Sequence, residues 1–138
     1  MIKLDFILVS HGDLAKGMLA SAQMIVGPQA QVAAFGLYPQ EDVSTLRQQI
    51  VTYLQPLDDN QIICFTDLFN GSPCNVVTSL MGQYNIRHLT GMNLALILEA
   101  FMMRQDPHNS REDLCHKLLR QAPQTFVDIN QFLDESKE

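Results

Sequence analysis

The chain has 138 residues, of which 46% are hydrophobic, and this length lets one domain bury about two thirds of its unfolded surface. A formal net charge of -6 without Lys/Arg clusters argues against a nucleic-acid-binding protein, because such proteins neutralise phosphates with a concentrated basic face. No apolar run approaches the roughly 20 residues that cross a bilayer, and no signal peptide is recognisable, so we expect a soluble, unexported protein.

Short apolar segments alternate along the chain with segments of helical periodicity. Residues 4–10 are nearly all apolar, which is typical of a strand buried on both faces. From Asp13 the apolar residues recur every three or four positions, which predicts a helix that Gly27 and Pro28 end. The further predicted elements are a strand at 32–37, a helix at 41–54, a turn at 56–60, a strand at 62–66, a helix at 73–84, a strand at 86–90, helices at 93–104 and 111–121, a short fifth strand at 125–129, and a frayed polar tail at 134–138.

Alternation of strands and helices predicts an α/β, doubly wound fold with a mostly parallel open sheet flanked by helices. We expect the strand order 2-1-3-4. Ligands of such folds bind beyond the carboxyl ends of the strands, where the strand order reverses. The loops after the first and third strands are therefore the expected location of a site.

His11 directly follows the first strand and precedes Gly12 and the first helix. A neutral imidazole at this edge is a good nucleophile toward phosphorus, and its N–P bond is labile enough to pass the group onward. Asp67 occupies the matching position after the third strand. Its carboxylate would accept the Nδ1–H of His11, leave Nε2 free to attack, and stabilise positive charge on the ring.

Residues 70–73 predict a turn that leads into a helix, with Ser72 as the N-cap and Pro73 at the first helical position. The free N–H groups and the positive end of the helix dipole would then form an anion cradle beside His11. Each feature also has a purely structural explanation: His11 ends a strand, Asp67 is a turn residue, and Ser72 caps a helix. The prediction of a phosphoryl site rests on the three together.

Three blocks of sequence together resemble the IIA component of the mannose-family sugar phosphotransferase system (mannose, fructose, sorbose or N-acetylgalactosamine type). The resemblance runs from about residue 4 to residue 104. The blocks are Val9-Ser10-His11-Gly12 with Leu14, Ala15 and Gly17, then Asp67-Leu68-Phe69-Asn70-Gly71-Ser72-Pro73-Cys74-Asn75, then Thr90-Gly91-Met92-Asn93-Leu94 with Glu99.

This resemblance implies a phosphotransferase that accepts a phosphoryl group from the phosphocarrier HPr and passes it to a IIB component for sugar uptake. Carried over by position, His11 is the phosphohistidine, Asp67 orients it, and Ser72 donates to the phosphate. The residues expected to contact the phosphate or the partner are Gly12, Leu68, Phe69 and Gly71. Leu68 and Phe69 are expected either to expose apolar surface to the partner or to be buried under their loop.

The family forms dimers in which a C-terminal strand crosses to the partner subunit. The resemblance therefore implies a homodimer of single-domain chains (1–138), each with a core at about 4–122 and an exchanged strand and tail at 123–133. It also implies a cytoplasmic protein that associates peripherally with the membrane IIC and IID components.

Two departures from the family pattern concern backbone shape. Asn70 stands where the family usually has glycine, but asparagine tolerates a left-handed backbone best after glycine, so we expect the turn to be kept. Ala95 stands where members often carry proline, which leaves the start of the fourth helix less defined.

No cofactor and no metal ion is predicted. The chain has no GxxxxGK[ST] motif and no carboxylate cluster for Mg²⁺, and transfer from a phosphohistidine starts from an activated donor. Cys64, Cys74 and Cys115 form no CxxC pair, which favours reduced thiols.

Other functions remain open from the sequence. One is a regulatory phosphoacceptor module without its own transported sugar, which would use the same His11 chemistry. Another is the phosphotransfer subunit of dihydroxyacetone kinase, although the loop after its third strand has a different pattern. A metal-dependent hydrolase that uses His11 and Asp13 is disfavoured, because no second histidine or carboxylate pair converges with them.

Overall fold

Four parallel strands form the centre of the structure, a computed structural model that describes residues 4–57 and 61–137. Within the described residues the strands are β1 (Leu4–His11), β2 (Val32–Leu37), β3 (Gln61–Thr66) and β4 (Ile86–Thr90). They pair in the order β2-β1-β3-β4, and every pairing is parallel. The predicted fold class and strand order are confirmed.

Helices follow each strand and cover the sheet. In chain order, the α-helices of the described residues are α1 (Leu14–Val26), α2 (Val43–Leu54), α3 (Ser72–Leu80), α4 (Leu94–Met103), α5 (Arg111–Gln121) and α6 (Ile129–Ser136). Short 3₁₀ helices lie at Gln55–Leu57 and Ala122–Thr125. The turn predicted at 56–60 extends beyond the described residues, since 58–60 lie outside them. The helix predicted at 73–84 ends at Leu80, because the backbone tightens there into a turn in which Met81 N donates to the Thr78 carbonyl at 3.2 Å.

Both faces of the sheet are buried, which explains why the strands lack polar residues at alternate positions. Phe6 and Leu8 of β1 pack in the apolar layer that α1, α4 and α5 complete. Ile7 and Val9 pack in the opposite layer, with α2 and α3. Full burial of an apolar side chain of this size contributes about 1.5–3 kcal/mol, so these residues anchor β1 between the two layers.

The C-terminal region differs from the prediction. No strand forms at 125–129: Thr125 ends a 3₁₀ helix, and Asp128 caps α6 by accepting a hydrogen bond from the Gln131 amide at 3.2 Å. Aspartate is among the best N-capping residues, and this local bond favours a helix over an extended chain. The predicted polar tail is likewise helical as far as Ser136. Exchange of this segment in a dimer stays a prediction.

Arg104, at the end of α4, is a buried cation in the core. It is 5% exposed, and its guanidinium donates to the carbonyl oxygens of Leu4 at 3.3 Å and Gln31 at 3.0 Å. The guanidinium carbon also lies 4.6 Å from the ring centroid of Phe6 and 5.0 Å from that of Phe101. Arg104 therefore joins α4 to the amino-terminal edge of the sheet, far along the strands from His11.

Replacement of Arg104 by alanine should lower the free energy of unfolding by about 3 kcal/mol. The backbone carbonyls of Leu4, Ala30 and Gln31 each lose a hydrogen bond from the guanidinium, and two aromatic rings lose the cation stacked on them. Urea unfolding followed by circular dichroism measures the loss. Arg120→Ala, at an exposed position of α5, is the matched control and should stay within about 0.5 kcal/mol of the parent. Equal losses in the two variants would contradict the structural role of Arg104.

Candidate functional site

His11 is the last residue of β1, at the carboxyl edge of the sheet. The preceding residues of the strand are buried, whereas the His11 side chain is 51% exposed. β1 lies between β2 and β3, so the strand order reverses beside His11. The histidine is thus at the switch point where the sequence places it, with its ring accessible from outside.

Asp67 follows β3 and contacts His11 through a single oxygen. Its Oδ2 accepts a hydrogen bond from the backbone amide of His11 at 2.9 Å and lies 2.8 Å from the ring nitrogen Nδ1. An ionised carboxylate can only accept, so Nδ1 carries the proton and Nε2 presents its lone pair. The predicted contact between the two side chains is present, and the bond from the His11 backbone amide is an additional, unpredicted one.

The Asp67 carboxylate is held in its charged form. Burial alone would raise the pKa of this carboxyl, but the backbone and ring hydrogen bonds from His11 together outweigh burial and keep the pKa below its ordinary value. Within the described residues, the other oxygen, Oδ1, is buried without a hydrogen-bond partner. A buried unpaired acceptor costs stability, which is a feature found at functional sites.

The loop between β3 and α3 closes over the ring of His11. Asn70 has a left-handed backbone with φ of 65°, as predicted for the turn. A side chain at Gly71 would place its Cβ 3.0 Å from Cε1 of His11, so glycine permits this close approach. The helix α3 begins at Ser72 with Gly71 in the N-cap position, so the prediction of Ser72 as the cap is wrong. The backbone at Gly71 already has the extended cap conformation, which shifts the helix start by one residue.

An open cleft with a volume of about 590 Å³ runs beside the histidine. His11 and Ser72 line it together, so the start of α3 does face the ring as expected. Tyr38, Glu41 and Asp42, from the segment between β2 and α2, also line the cleft. The place of these three residues in the site was not predicted, because nothing local in the sequence links them to His11.

Ser10 is a further residue whose position was not predicted. It is fully buried, accepts a hydrogen bond from the Ala15 amide at 2.7 Å, and donates to the His11 carbonyl at 3.0 Å. It therefore caps α1 from the strand, while Asp13, at the usual cap position, makes no such bond. The serine immediately before the histidine was visible in the sequence, but its role requires the folded turn.

Leu68 and Phe69 project outward from the same loop. Their exposed fractions are 59% and 72%. The sequence left open whether these two side chains are exposed or buried under their loop, and in the structure they are exposed. Their contact with a partner stays a prediction.

The sequence model of a protein family, the PTS system fructose IIA component, matches residues 5–118. The chain belongs to this family. The predicted membership of the mannose-family IIA components is thereby confirmed, and the chain is a sugar-specific IIA component of the phosphotransferase system. Components of this kind are phosphotransfer proteins, which supports a transferase function in sugar transport.

Individual relatives agree with this assignment. The sorbose-specific EIIA component of Klebsiella pneumoniae is 32% identical over 123 residues, covering 88% of this chain and 88% of that protein. The fructose-specific EIIA component of Bacillus subtilis (strain 168) is 24% identical over 136 residues, covering 97% and 92%. For the mannose-specific EIIAB component of Escherichia coli (strain K12), the identity is 28% over 102 residues, and the match covers 72% of this chain but 32% of that protein.

Solved structures of IIA proteins share the fold. The phosphotransferase system component EIIA from Streptococcus agalactiae superposes with a TM-score of 0.84 at 27% identity, covering 93% of this chain and 98% of that one. In the IIA component described here, no helix within residues 4–57 and 61–137 is both long and apolar enough to span a membrane.

Replacement of Gly36 by alanine should disturb the turn that carries His11. A Cβ at Gly36 would overlap the carbonyl oxygen of Gly12, so the turn must move, at a cost of about 1–3 kcal/mol in unfolding free energy. The shift should also be visible as a displaced His11 amide signal in ¹H–¹⁵N NMR spectra. Gly82→Ala is the control, since a Cβ there meets nothing within 4 Å. An undisturbed His11 signal in Gly36→Ala would contradict the close packing described.

The stabilisation from Asp67 should depend on pH. Its pKa in the folded protein is below the ordinary value of 3.8, so its contribution is present above about pH 4 and is lost as the pH falls through the folded-state pKa. Urea unfolding of the parent and of Asp67→Asn at pH 7 and pH 3 tests this. The stability difference between the two proteins should narrow at pH 3. A difference that does not change with pH would show that the carboxylate charge contributes nothing.

Proposed function

We propose that the protein is a phosphocarrier that accepts a phosphoryl group on His11 from phospho-HPr and passes it to a IIB component. The observation that carries the proposal is the pair of hydrogen bonds from His11 to one oxygen of Asp67. These bonds fix the ring and its tautomer, so that Nε2 is the nucleophile of an exposed imidazole.

Each transfer exchanges one N–P bond for another. The Nε2 lone pair of His11 attacks phosphorus, the N–P bond of the donor phosphohistidine breaks, and its electron pair stays on the donor nitrogen. The Nδ1 proton of His11 remains on the bond to Asp67, whose negative charge stabilises the positive ring that forms. Transfer onward to IIB reverses these events with the acceptor group as nucleophile.

The start of α3 is suited to receive the phosphoryl oxygens. Ser72 lines the cleft with His11, and the first amide groups of a helix attract anions through their free N–H bonds and the helix dipole. The Ser72 hydroxyl can donate a hydrogen bond to a phosphoryl oxygen. Gly12 and Gly71 would let the oxygens approach the backbone closely.

Leu68 and Phe69 are proposed to contact the protein partners. Their exposed side chains lie in the same loop as Asp67, where a donor or acceptor must approach the ring. Apolar surface next to the transferred group would lose water on docking and contribute binding free energy without holding the phosphate.

In this role the chain, as one domain, would lie in the cytoplasm and associate only indirectly, through IIB, with the membrane IIC and IID components. We also propose that the protein forms a homodimer. Near the C-terminus, the apolar side chains of Phe126, Ile129 and Phe132 are 95%, 59% and 57% exposed in the single chain. A second copy of the chain would cover this apolar surface.

Incubation with phosphoenolpyruvate, enzyme I and HPr tests the acceptor. The parent protein should gain one acid-labile phosphoryl group by intact-mass spectrometry, and His11→Ala should gain none. His116→Ala, at an exposed position of α5, is the matched control and should behave as the parent. A phosphoryl gain that persists in His11→Ala would overturn the assignment.

Asp67→Asn should accept the phosphoryl group about 10- to 100-fold more slowly than the parent, because an amide oxygen keeps the hydrogen bonds but not the charge that stabilises the ring. Rapid-quench measurement of phosphorylation by phospho-HPr gives the rate. An unchanged rate, with the fold intact by circular dichroism, would remove Asp67 from the mechanism.

A further inference from the structure

Lys16 is a cation held close to the phosphoryl cleft by Tyr38. Its ammonium nitrogen donates to the Tyr38 hydroxyl at 2.9 Å and lies 4.9 Å from the centroid of the ring. The Tyr38 hydroxyl in turn donates to Oδ1 of Asp13. Neither Lys16 nor Tyr38 belongs to the residues assigned to phosphoryl transfer above, yet Tyr38 lines the same cleft as His11.

The position of Lys16 in α1 directs it toward that cleft. It lies in the first turn of the helix, and helical side chains incline toward the helix N-terminus, which here is the end next to Gly12 and His11. The Tyr38 hydroxyl lies near the turn that follows His11. A Cβ built at Gly36 would overlap the Gly12 carbonyl oxygen and lie 3.1 Å from the Tyr38 hydroxyl, so both groups are next to Gly36.

The side chains around the cleft include acidic groups, so a nearby cation such as Lys16 would matter for a bound phosphoryl group. Glu41 and Asp42 line the cleft with His11, and Asp67 contacts the ring. None of the described residues that line the cleft is a lysine or an arginine. A phosphoryl group, which carries up to two negative charges, would therefore meet carboxylates of the same sign.

Lys16 is also kept fully charged. The hydrogen bond to Tyr38 raises the pKa of its ammonium group by more than burial lowers it, and the charges of Asp13 and Glu41 raise it slightly further.

From this geometry we propose that Lys16, held by Tyr38 at the mouth of the cleft, is the cation that balances the charge of the phosphoryl group on His11. This inference rests on the proposed function of His11. Its rival is a structural role, in which Lys16, Tyr38 and Asp13 only fasten the segment after β2 to the turn after β1. The two roles predict different results when the lysine charge is removed. Only the charge-balancing role changes the pKa of the phosphoryl group on His11.

The test uses His11 phosphorylated chemically with phosphoramidate, so that no partner protein is needed. Lys16→Met is compared with Lys117→Met, which removes the same charge from an exposed lysine on α5. The Lys117 ammonium group donates to the side-chain oxygen of Asn109. The readout is the pKa of the phosphoryl group, followed by ³¹P NMR. Without the nearby cation, the phosphoryl dianion is less favoured, so this pKa should rise by about half a unit in Lys16→Met. It should not change in Lys117→Met.

Further variants separate charge from structure. Lys16→Arg should restore the parent value, and Tyr38→Phe, which keeps the ring but not the hydroxyl, should shift the pKa in the same direction as Lys16→Met but less. Salt at 1 M should remove most of the difference, because the Debye length is then about 3 Å. The phosphorylation rate with phospho-HPr should fall about three-fold in Lys16→Met.

Two results would overturn the inference. If the phosphoryl pKa is the same in Lys16→Met and Lys117→Met while Lys16→Met alone loses thermal stability, Lys16 is only a structural tie. If His11→Ala gains the phosphoryl group as the parent does, the proposed function fails first, and the role of Lys16 fails with it.

Discussion

The geometry of the site depends on one carboxylate oxygen that binds one histidine twice. Oδ2 of Asp67 lies 2.9 Å from the amide nitrogen of His11 and 2.8 Å from its Nδ1. Both bonds require the two residues to follow neighbouring strands at the same edge. The parallel register of β1 with β3, in which Val9 pairs with Thr66, provides this. A shift of one residue in this register would turn the side chains of β3 to the opposite face and move Asp67 away from His11.

On its other side, His11 is held through backbone contacts. The Gly12 amide donates to the Leu37 carbonyl at 2.6 Å, and Gly36 has no side chain to keep β2 away. The backbone is thus fixed from both neighbouring strands, while the ring itself stays half exposed. This combination suits the proposed phosphocarrier role, because a positioned nucleophile lowers the entropic cost of transfer and an open ring can meet successive partners. The exposed apolar side chain of Phe69 beside it would serve docking without adding charge.

Much of this arrangement was predictable because the relevant patterns are local. The strands at 32–37 and 86–90 have their observed bounds, and His11 and Asp67 lie at the ends of the strands that the sequence predicts for them. The errors occurred where two local preferences compete. Residues 125–129 have the apolar and branched composition of a strand, but the Asp128 cap favours α6. Ser72 and Gly71 are both suitable N-caps, and the backbone conformation chose Gly71.

The sequence by itself determined the α/β class, the order of the elements as far as α5 and the location of the histidine–carboxylate pair, since hydrophobic periodicity and strand-end residues are properties of short segments. The tertiary structure alone decided the burial of Arg104 and the contact of Lys16 with Tyr38. Each of these depends on which side chains the packed sheet and helices bring together. Arg104 and Leu4, for example, are joined across almost the whole chain. No local pattern specifies such contacts, because their partners become neighbours only when the layers pack.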